Sequence, residues 1–158
     1  MMSEAITRRE KALAYFGSGF HCSQAVLASW ADQCGLSEEQ ALKLGACFGS
    51  GMRKGEVCGA VSGALMVLGA LYGQHDITDA QSRQTANEVN DSMMKGFAEA
   101  CGSCLCREIL GCDPSTPEGV RYAWEHHLFE EQCPRFVACA MDVLEKIIGE
   151  RNKPWKTE

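Results

Sequence analysis

The chain has 158 residues, of which 46% are hydrophobic and 23% charged, an ordinary balance for one globular domain with its own core. Its formal net charge is −6 and it has no basic stripe, which argues against a nucleic-acid partner. The longest apolar stretch, 57–72, is glycine-rich and short for a membrane span, and residues 1–11 lack the apolar segment of a signal peptide. We therefore expect a cytoplasmic protein that does not cross a membrane.

Helical patterns follow one another along the first half of the chain. The first segment surrounds Leu13 and Phe16, and the second runs over 21–34 with an apolar stripe. A capping-box pattern at 37–40 predicts the start of a third helix. A glycine-containing loop over 49–56 then leads into the next helix.

The fourth predicted helix, 57–71, is apolar on nearly all sides and is expected to be central. Gly59 and Gly63 lie four residues apart in it, a spacing that lets another helix approach closely. A second capping-box pattern, beginning at Thr78, predicts a fifth helix that reaches Ala100.

The remaining segments are also helical in pattern. A short helix is predicted over 104–110, another begins at Pro117 with Thr116 as its cap, and the last begins at 133–134. No strand-like alternation persists over several residues. The predicted fold is all-α, a compact bundle of about five to seven helices forming a single domain over 1–158.

Ten cysteines are the unusual feature of the composition. In a small secreted chain such a number indicates disulfides. In a chain of this length without an export signal, it favours metal binding, redox chemistry, or a mixture of inert and reactive thiols.

Four cysteines fall at predicted helix starts: Cys22, Cys58, Cys106 and Cys133. A helix N-terminus presents unpaired N–H groups and partial positive charge, which stabilise a thiolate and lower its pKa. Thiolates are the nucleophiles of disulfide exchange and the ligands of zinc and of iron–sulfur clusters. The hypothesis is that these four side chains meet at one end of the bundle.

The other six cysteines divide into three groups. Cys101 and Cys104 form a C-x-x-C pair and are secondary candidates for the site, with a local disulfide between them as one option. Cys112 lies in a turn and is ambiguous. The cysteines within or at the ends of predicted helices are expected to be small buried apolar residues: Cys34, Cys47 and Cys139.

Residues 58–63, CGAVSG, match the CGAxxG motif of the C_GCAxxG_C_C family. The other features of that family follow in order: a cysteine in 21–26, a glycine-rich loop before the motif, an apolar run over 64–69, a cysteine in 106–111, and a late cysteine at 133. The chain resembles the family over 17–148.

The resemblance implies a small helical protein with a redox role. The four cysteines characteristic of the family map onto Cys22, Cys58, Cys106 and Cys133. A related domain in split-Soret cytochromes carries an iron–sulfur cluster, which supports a cluster here by analogy. This sequence departs from the family pattern by having six further cysteines, of which Cys101, Cys104 and Cys112 could add a second thiol pair or compete as ligands.

Three functions stay open from the sequence. The first is a redox protein, either an iron–sulfur or metal-thiolate electron carrier or a thiol–disulfide protein, with an unidentified redox partner. The second is a helical interaction module with buried, reduced cysteines, in which the small-residue faces of the fourth helix would form a homodimer interface. The third is a structural zinc site formed by the same four thiolates.

Overall fold

The computed structural model describes residues 5–152. The prediction of one domain over 1–158 therefore extends, at 1–4 and 153–158, outside the described residues. Within 5–152 the chain forms nine α-helices and one isolated antiparallel bridge, between Val57 and Leu105. The helices are α1 (Arg8–Gly17), α2 (Cys22–Ser29), α3 (Glu38–Gly45), α4 (Gly59–Tyr72), α5 (Ala80–Cys101), α6 (Cys106–Leu110), α7 (Pro117–Glu125), α8 (Leu128–Glu131) and α9 (Cys133–Arg151).

The all-α prediction is confirmed, whereas the count of five to seven helices is wrong. The short helix predicted over 104–110 is present as α6, whereas α8, with 4 residues, is too short for an apolar period to register in the sequence. Helices α7 and α8 are separated at His127, whose φ of 56° interrupts the right-handed helix. Helix α2 ends earlier than predicted, at Ser29, whose hydroxyl donates to the Val26 carbonyl at 2.7 Å and competes with the helix backbone.

Two of the three predicted caps are present, and the third is displaced by one residue. Ser37 caps α3 with a complete capping box, and Thr116 caps α7 with Pro117 as its first residue. Helix α5 is capped by Asp79 rather than by Thr78, because the Asp79 carboxylate accepts from a backbone N–H in the first turn. Local sequence therefore determines where the helices begin.

Five helices form a closed ring of neighbours around the main core. Helix α1 packs against α2, α2 against α4, α4 against α5, α5 against α9, and α9 against α1. Burial of each large apolar side chain stabilises the fold by about 1.5–3 kcal/mol. The largest fully buried side chains are Phe97, Leu27, Leu68, Met93, Met141 and Leu144.

The predicted close approach of a helix to α4 is present, and the partner is α2. A Cβ atom placed on Gly63 would lie 2.7 Å from the carbonyl oxygen of Ser23 and 3.1 Å from Cβ of Val26. The two glycines of the CGAxxG motif thus bring α4 against the first turns of α2. In the part of the chain that the structure describes, no helix is both long and apolar enough to cross a bilayer.

Helices α6, α7 and α8 cover one end of the ring, beside the start of α9. They form a smaller apolar cluster around buried Cys106, Leu110 and Ala123, with half-buried Phe129 and Cys133 packed on it. This second cluster places the starts of α6 and α9 near those of α2 and α4.

Candidate functional site

The four cysteines predicted from helix starts line one cavity of about 650 Å³. Cys22 is the first residue of α2, Cys106 of α6 and Cys133 of α9, while Cys58 is the N-cap residue of α4. The structure thus brings together four thiols that are widely separated in sequence.

The antiparallel bridge fixes Cys58 beside Cys106. The backbone N–H of Cys58 donates to the Cys104 carbonyl, and the N–H of Cys106 donates to the Glu56 carbonyl, both at 2.7 Å. These two hydrogen bonds flank the bridged pair Val57 and Leu105. They hold the start of α4 against the start of α6 even though 48 residues separate the two cysteines in the chain.

Polar contacts to α3 hold the first turn of α2, and with it Cys22. The buried hydroxyl of Ser23 donates to the Gly45 carbonyl at 2.7 Å, and the side-chain amide of Gln24 donates to the Leu42 carbonyl at 2.9 Å. The Cys22 sulfur sits directly over Gly59, where a Cβ atom would lie only 2.5 Å from it. The first glycine of the motif is therefore required by the position of the sulfur.

The Cys22 sulfur lies where several hydrogen-bond donors converge. The largest effect on its pKa is a hydrogen bond from the neighbouring Cys58 thiol, which lowers the pKa of Cys22 from the ordinary 9.0 to about 7. Burial acts in the opposite direction. The backbone N–H groups of Ser50, Ser23 and Ala60 also donate to this sulfur and favour its thiolate.

The other three cavity thiols have raised pKa values, so the prediction that every helix start would lower the pKa is wrong for them. Cys58 gives its hydrogen bond to Cys22, and burial further raises the pKa of Cys58. Burial also raises the pKa of Cys106 to about 12 and raises that of Cys133, and nearby thiolate charge adds to both effects. Desolvation outweighs the helix dipole because Cys106 and Cys133 lie in the second apolar cluster and Cys58 lies in the main core.

The glycine-containing loop before α4 is a left-handed turn over 50–53. Ser50, Met52 and Arg53 have φ values of 53°, 56° and 60°, in a region that costs a non-glycine residue roughly 1–2 kcal/mol. The turn directs the Ser50 N–H at the Cys22 sulfur and places Arg53 on the cavity wall. Backbone strain of this kind accumulates at functional sites.

Aromatic side chains form much of the remaining cavity wall. Arg53 and Glu130 are the charged side chains among its lining residues. The aromatic lining residues are Phe16, Phe20, Trp124, Phe129 and Phe136. An apolar cavity of this size with a few polar groups is typical of a small-molecule site.

The sequence reasoning missed several contributors to the site. The Ser50 N–H acts through backbone geometry, and its only signal was the cluster of glycines at 49–51 just before the motif. Cys112 is half-buried and close enough to Cys106 and Cys133 for its charge to raise their pKa values. The aromatic wall is assembled from distant segments and had no local signal.

The secondary candidates lie elsewhere. All ten cysteines are free thiols. The Cys101 sulfur contacts that of Cys139 at 3.4 Å, whereas Cys104 donates to the Met94 carbonyl at 3.2 Å, so Cys101 faces Cys139 rather than Cys104.

Three cysteines were expected to be small buried apolar residues. Of these, Cys47 is exposed, while Cys34 and Cys139 are half-buried.

The cavity matches an iron–sulfur cluster in donor type, since four thiols are the donor set that such clusters use. Across residues 5–152, no three His, Cys, Asp or Glu side chains are grouped so that they could hold a single metal ion. The contact that the structure does show within the cavity is the one between the thiols of Cys22 and Cys58.

The profile of one protein family matches residues 20–147, and its description reads "Putative redox-active protein (C_GCAxxG_C_C)". The match spans most of the chain and agrees with the resemblance identified from the CGAxxG motif. A search of curated proteins and a search of solved structures each gave no match.

Proposed function

Since the chain belongs to the C_GCAxxG_C_C family, we propose that it is a thiol–disulfide redox protein in which Cys22 and Cys58 are the working pair. The observation that carries this proposal is the pair itself: two adjacent thiols whose pKa values move in opposite directions. Pairs of titratable groups with separated pKa values mark distinct chemical roles within one site.

Cys22 is the attacking sulfur. With a pKa of about 7, roughly half of it is thiolate at neutral pH. An attacking thiol works best when its pKa lies near the ambient pH, because a lower pKa also lowers nucleophilicity. Cys106 and Cys133 remain protonated at neutral pH, since burial raises their pKa values, and they do not compete as nucleophiles.

The reaction needs a disulfide R–S–S–R as the second reactant. The Cys22 thiolate attacks one of its sulfurs, forms a mixed disulfide and releases RS⁻. Cys58 then transfers its proton to the released thiolate, attacks the Cys22 sulfur, and forms the Cys22–Cys58 disulfide while displacing the second RS⁻, which is protonated from solvent. The disulfide is reduced to two thiols and the protein dithiol is oxidised; the reverse reaction reduces the protein.

Cys58→Ser is expected to trap the mixed disulfide on Cys22, because a serine hydroxyl can still donate a hydrogen bond but cannot resolve the intermediate. Reduced protein in a Cys47→Ser background, which removes the exposed thiol, is treated with glutathione disulfide. It is then quenched in acid and mapped by mass spectrometry. The Cys58→Ser variant should accumulate one glutathione on Cys22, while the parent proceeds to a Cys22–Cys58 disulfide.

Cys106→Ser is the matched control and should behave as the parent does. The proposal fails if Cys22 stays unmodified in the Cys58→Ser variant, or if that variant resolves the mixed disulfide as fast as the parent.

An iron–sulfur electron carrier is the second candidate. It is favoured by one observation, that four thiols from four helix starts line a single cavity. It ranks below the dithiol because the thiols of the described residues are not grouped as metal ligands. Visible absorption distinguishes the two, because an iron–sulfur cluster absorbs visible light and a pair of thiols does not.

A further inference from the structure

A second pair of thiols lies outside the cavity, between α5 and α9. Cys101 is the last residue of α5 and Cys139 lies within α9, and their sulfurs are 3.4 Å apart with Cys101 as the hydrogen-bond donor. A disulfide needs sulfurs about 2.05 Å apart, so they must approach by only about 1.4 Å.

Cys101 lies at the end of its helix, where the backbone has fewer hydrogen-bond constraints than in the helix interior. Gly102 follows it with φ 90° and ends the helix, and nothing lies within 4 Å of a Cβ placed on Gly102. Cys139, in contrast, is held in the interior of a 19-residue helix. The bond can therefore close by a small shift at the end of α5.

Cys139 is open to the surface through a shallow groove, which the large cavity does not include. The groove has a volume of about 400 Å³ and is bordered by Arg9, Arg135 and Asp142. Arg9 is paired with Asp142 at 3.3 Å. The Arg135 charge reaches Cys101, where it partly offsets the burial and the hydrogen bond to Cys139 that raise the pKa of Cys101. The groove thus carries a net positive charge next to a thiol.

We propose that Cys101 and Cys139 form a second dithiol, which an anionic low-molecular-weight disulfide oxidises through this groove, joining α5 to α9 by a disulfide. This pair is separate from Cys22 and Cys58, and it assigns a role to two cysteines that the family pattern does not include.

The hydrogen bond sets the order of attack. Burial first, and then donation to Cys139, raise the pKa of Cys101 to about 12, so Cys101 stays protonated while Cys139 attacks. Cys139 first loses its proton to solvent, and its sulfur then displaces RS⁻ from R–S–S–R and forms a mixed disulfide. Cys101 then transfers its proton to the released thiolate and attacks the Cys139 sulfur, displacing the second RS⁻, which solvent protonates. One disulfide is consumed and two thiols are produced.

Peptide mapping of the full-length chain tests the pair directly. Reduced protein is incubated with glutathione disulfide, quenched in acid, alkylated and digested with trypsin. The expected product links peptide 96–107 to peptide 136–146, in which Cys139 is the single cysteine. Because peptide 96–107 holds three cysteines, Cys101→Ser must abolish the link and Cys104→Ser must leave it intact.

A second measurement keeps the test valid if a variant folds poorly. Oxidation should raise the melting temperature of the parent and of Cys104→Ser, which can both form the bond. The rise should be roughly 5–10 °C larger than in Cys101→Ser, because the bond closes a long loop.

The charge of the groove is tested with Arg135→Gln. This substitution should slow oxidation by glutathione disulfide several-fold but should not slow oxidation by the uncharged bis(2-hydroxyethyl) disulfide.

The proposal is overturned if the link is absent from the oxidised parent, or if it persists in Cys101→Ser. It is also overturned if Arg135→Gln slows both disulfides equally. None of these outcomes depends on whether Cys22 reacts.

Discussion

Replacement of Cys58 by alanine should raise the pKa of Cys22 from about 7 towards its ordinary value of 9.0. The hydrogen bond from the Cys58 thiol is the largest contribution to the lowered pKa, and alanine has no donor to replace it. At pH 7 the thiolate fraction of Cys22 would then fall by up to about 50-fold. Cys58→Ser is the matched control, because its hydroxyl keeps a donor at the same position.

The measurement is the pH dependence of Cys22 alkylation by iodoacetamide, followed on the peptide that contains it. In the parent and in Cys58→Ser the rate should fall as the pH decreases through about 7. In Cys58→Ala the midpoint should move to higher pH. Equal midpoints in all three proteins would mean that Cys58 does not control the Cys22 thiolate.

Alanine substitutions at two glycines of α4 should change stability in opposite directions. At Gly63 a methyl group would lie 2.7 Å from the Ser23 carbonyl oxygen, a backbone atom that cannot move without shifting α2. Overpacking of this kind costs about 1–3 kcal/mol. At exposed Gly69 nothing lies within 4 Å of the added methyl group, and alanine should stabilise the helix by about 0.5–1 kcal/mol.

Urea unfolding of the two variants checks this pair of expectations. Gly63→Ala should unfold at a lower urea concentration than the parent, and Gly69→Ala at a higher one, with similar slopes. If Gly63→Ala proves as stable as the parent, the second glycine of the motif is not needed for the contact between α2 and α4.

Local sequence signals were enough to predict the helical class and the positions of the four cavity cysteines. Caps such as Ser37 and Thr116 act within one turn, so they can be recognised without knowing the tertiary fold. Cys22 and Cys133 could be assigned to helix starts for the same reason. What brings these starts together is long-range, and the bridge between Val57 and Leu105 had no sequence signal.

Tertiary burial explains where sequence reasoning failed. A helix start alone suggests a lowered pKa, but the pKa of Cys106 is raised because the second apolar cluster desolvates it. The contact between Cys101 and Cys139 joins residues 38 positions apart and depends on how α5 packs against α9. The nearby C-x-x-C spacing favoured Cys104 instead.

The left-handed turn at 50–53 is a third case. Its glycines were visible in the sequence, but Ser50, Met52 and Arg53 also adopt positive φ, which no residue preference predicts. Because the turn delivers the Ser50 N–H to the Cys22 sulfur, the site requires a backbone conformation that its own residues disfavour.

An anaerobic redox titration can decide whether the cavity thiols themselves carry the electrons. Protein purified without oxygen is equilibrated across a series of dithiol–disulfide buffers, while visible absorbance and the thiol state of each cysteine are recorded together. If they do, Cys22 and Cys58 should convert together between two thiols and one disulfide in a two-electron step, without any change in visible absorbance. Broad visible absorption that bleaches on reduction, with Cys22 and Cys58 unchanged as thiols, would contradict this expectation and establish an iron–sulfur chromophore instead.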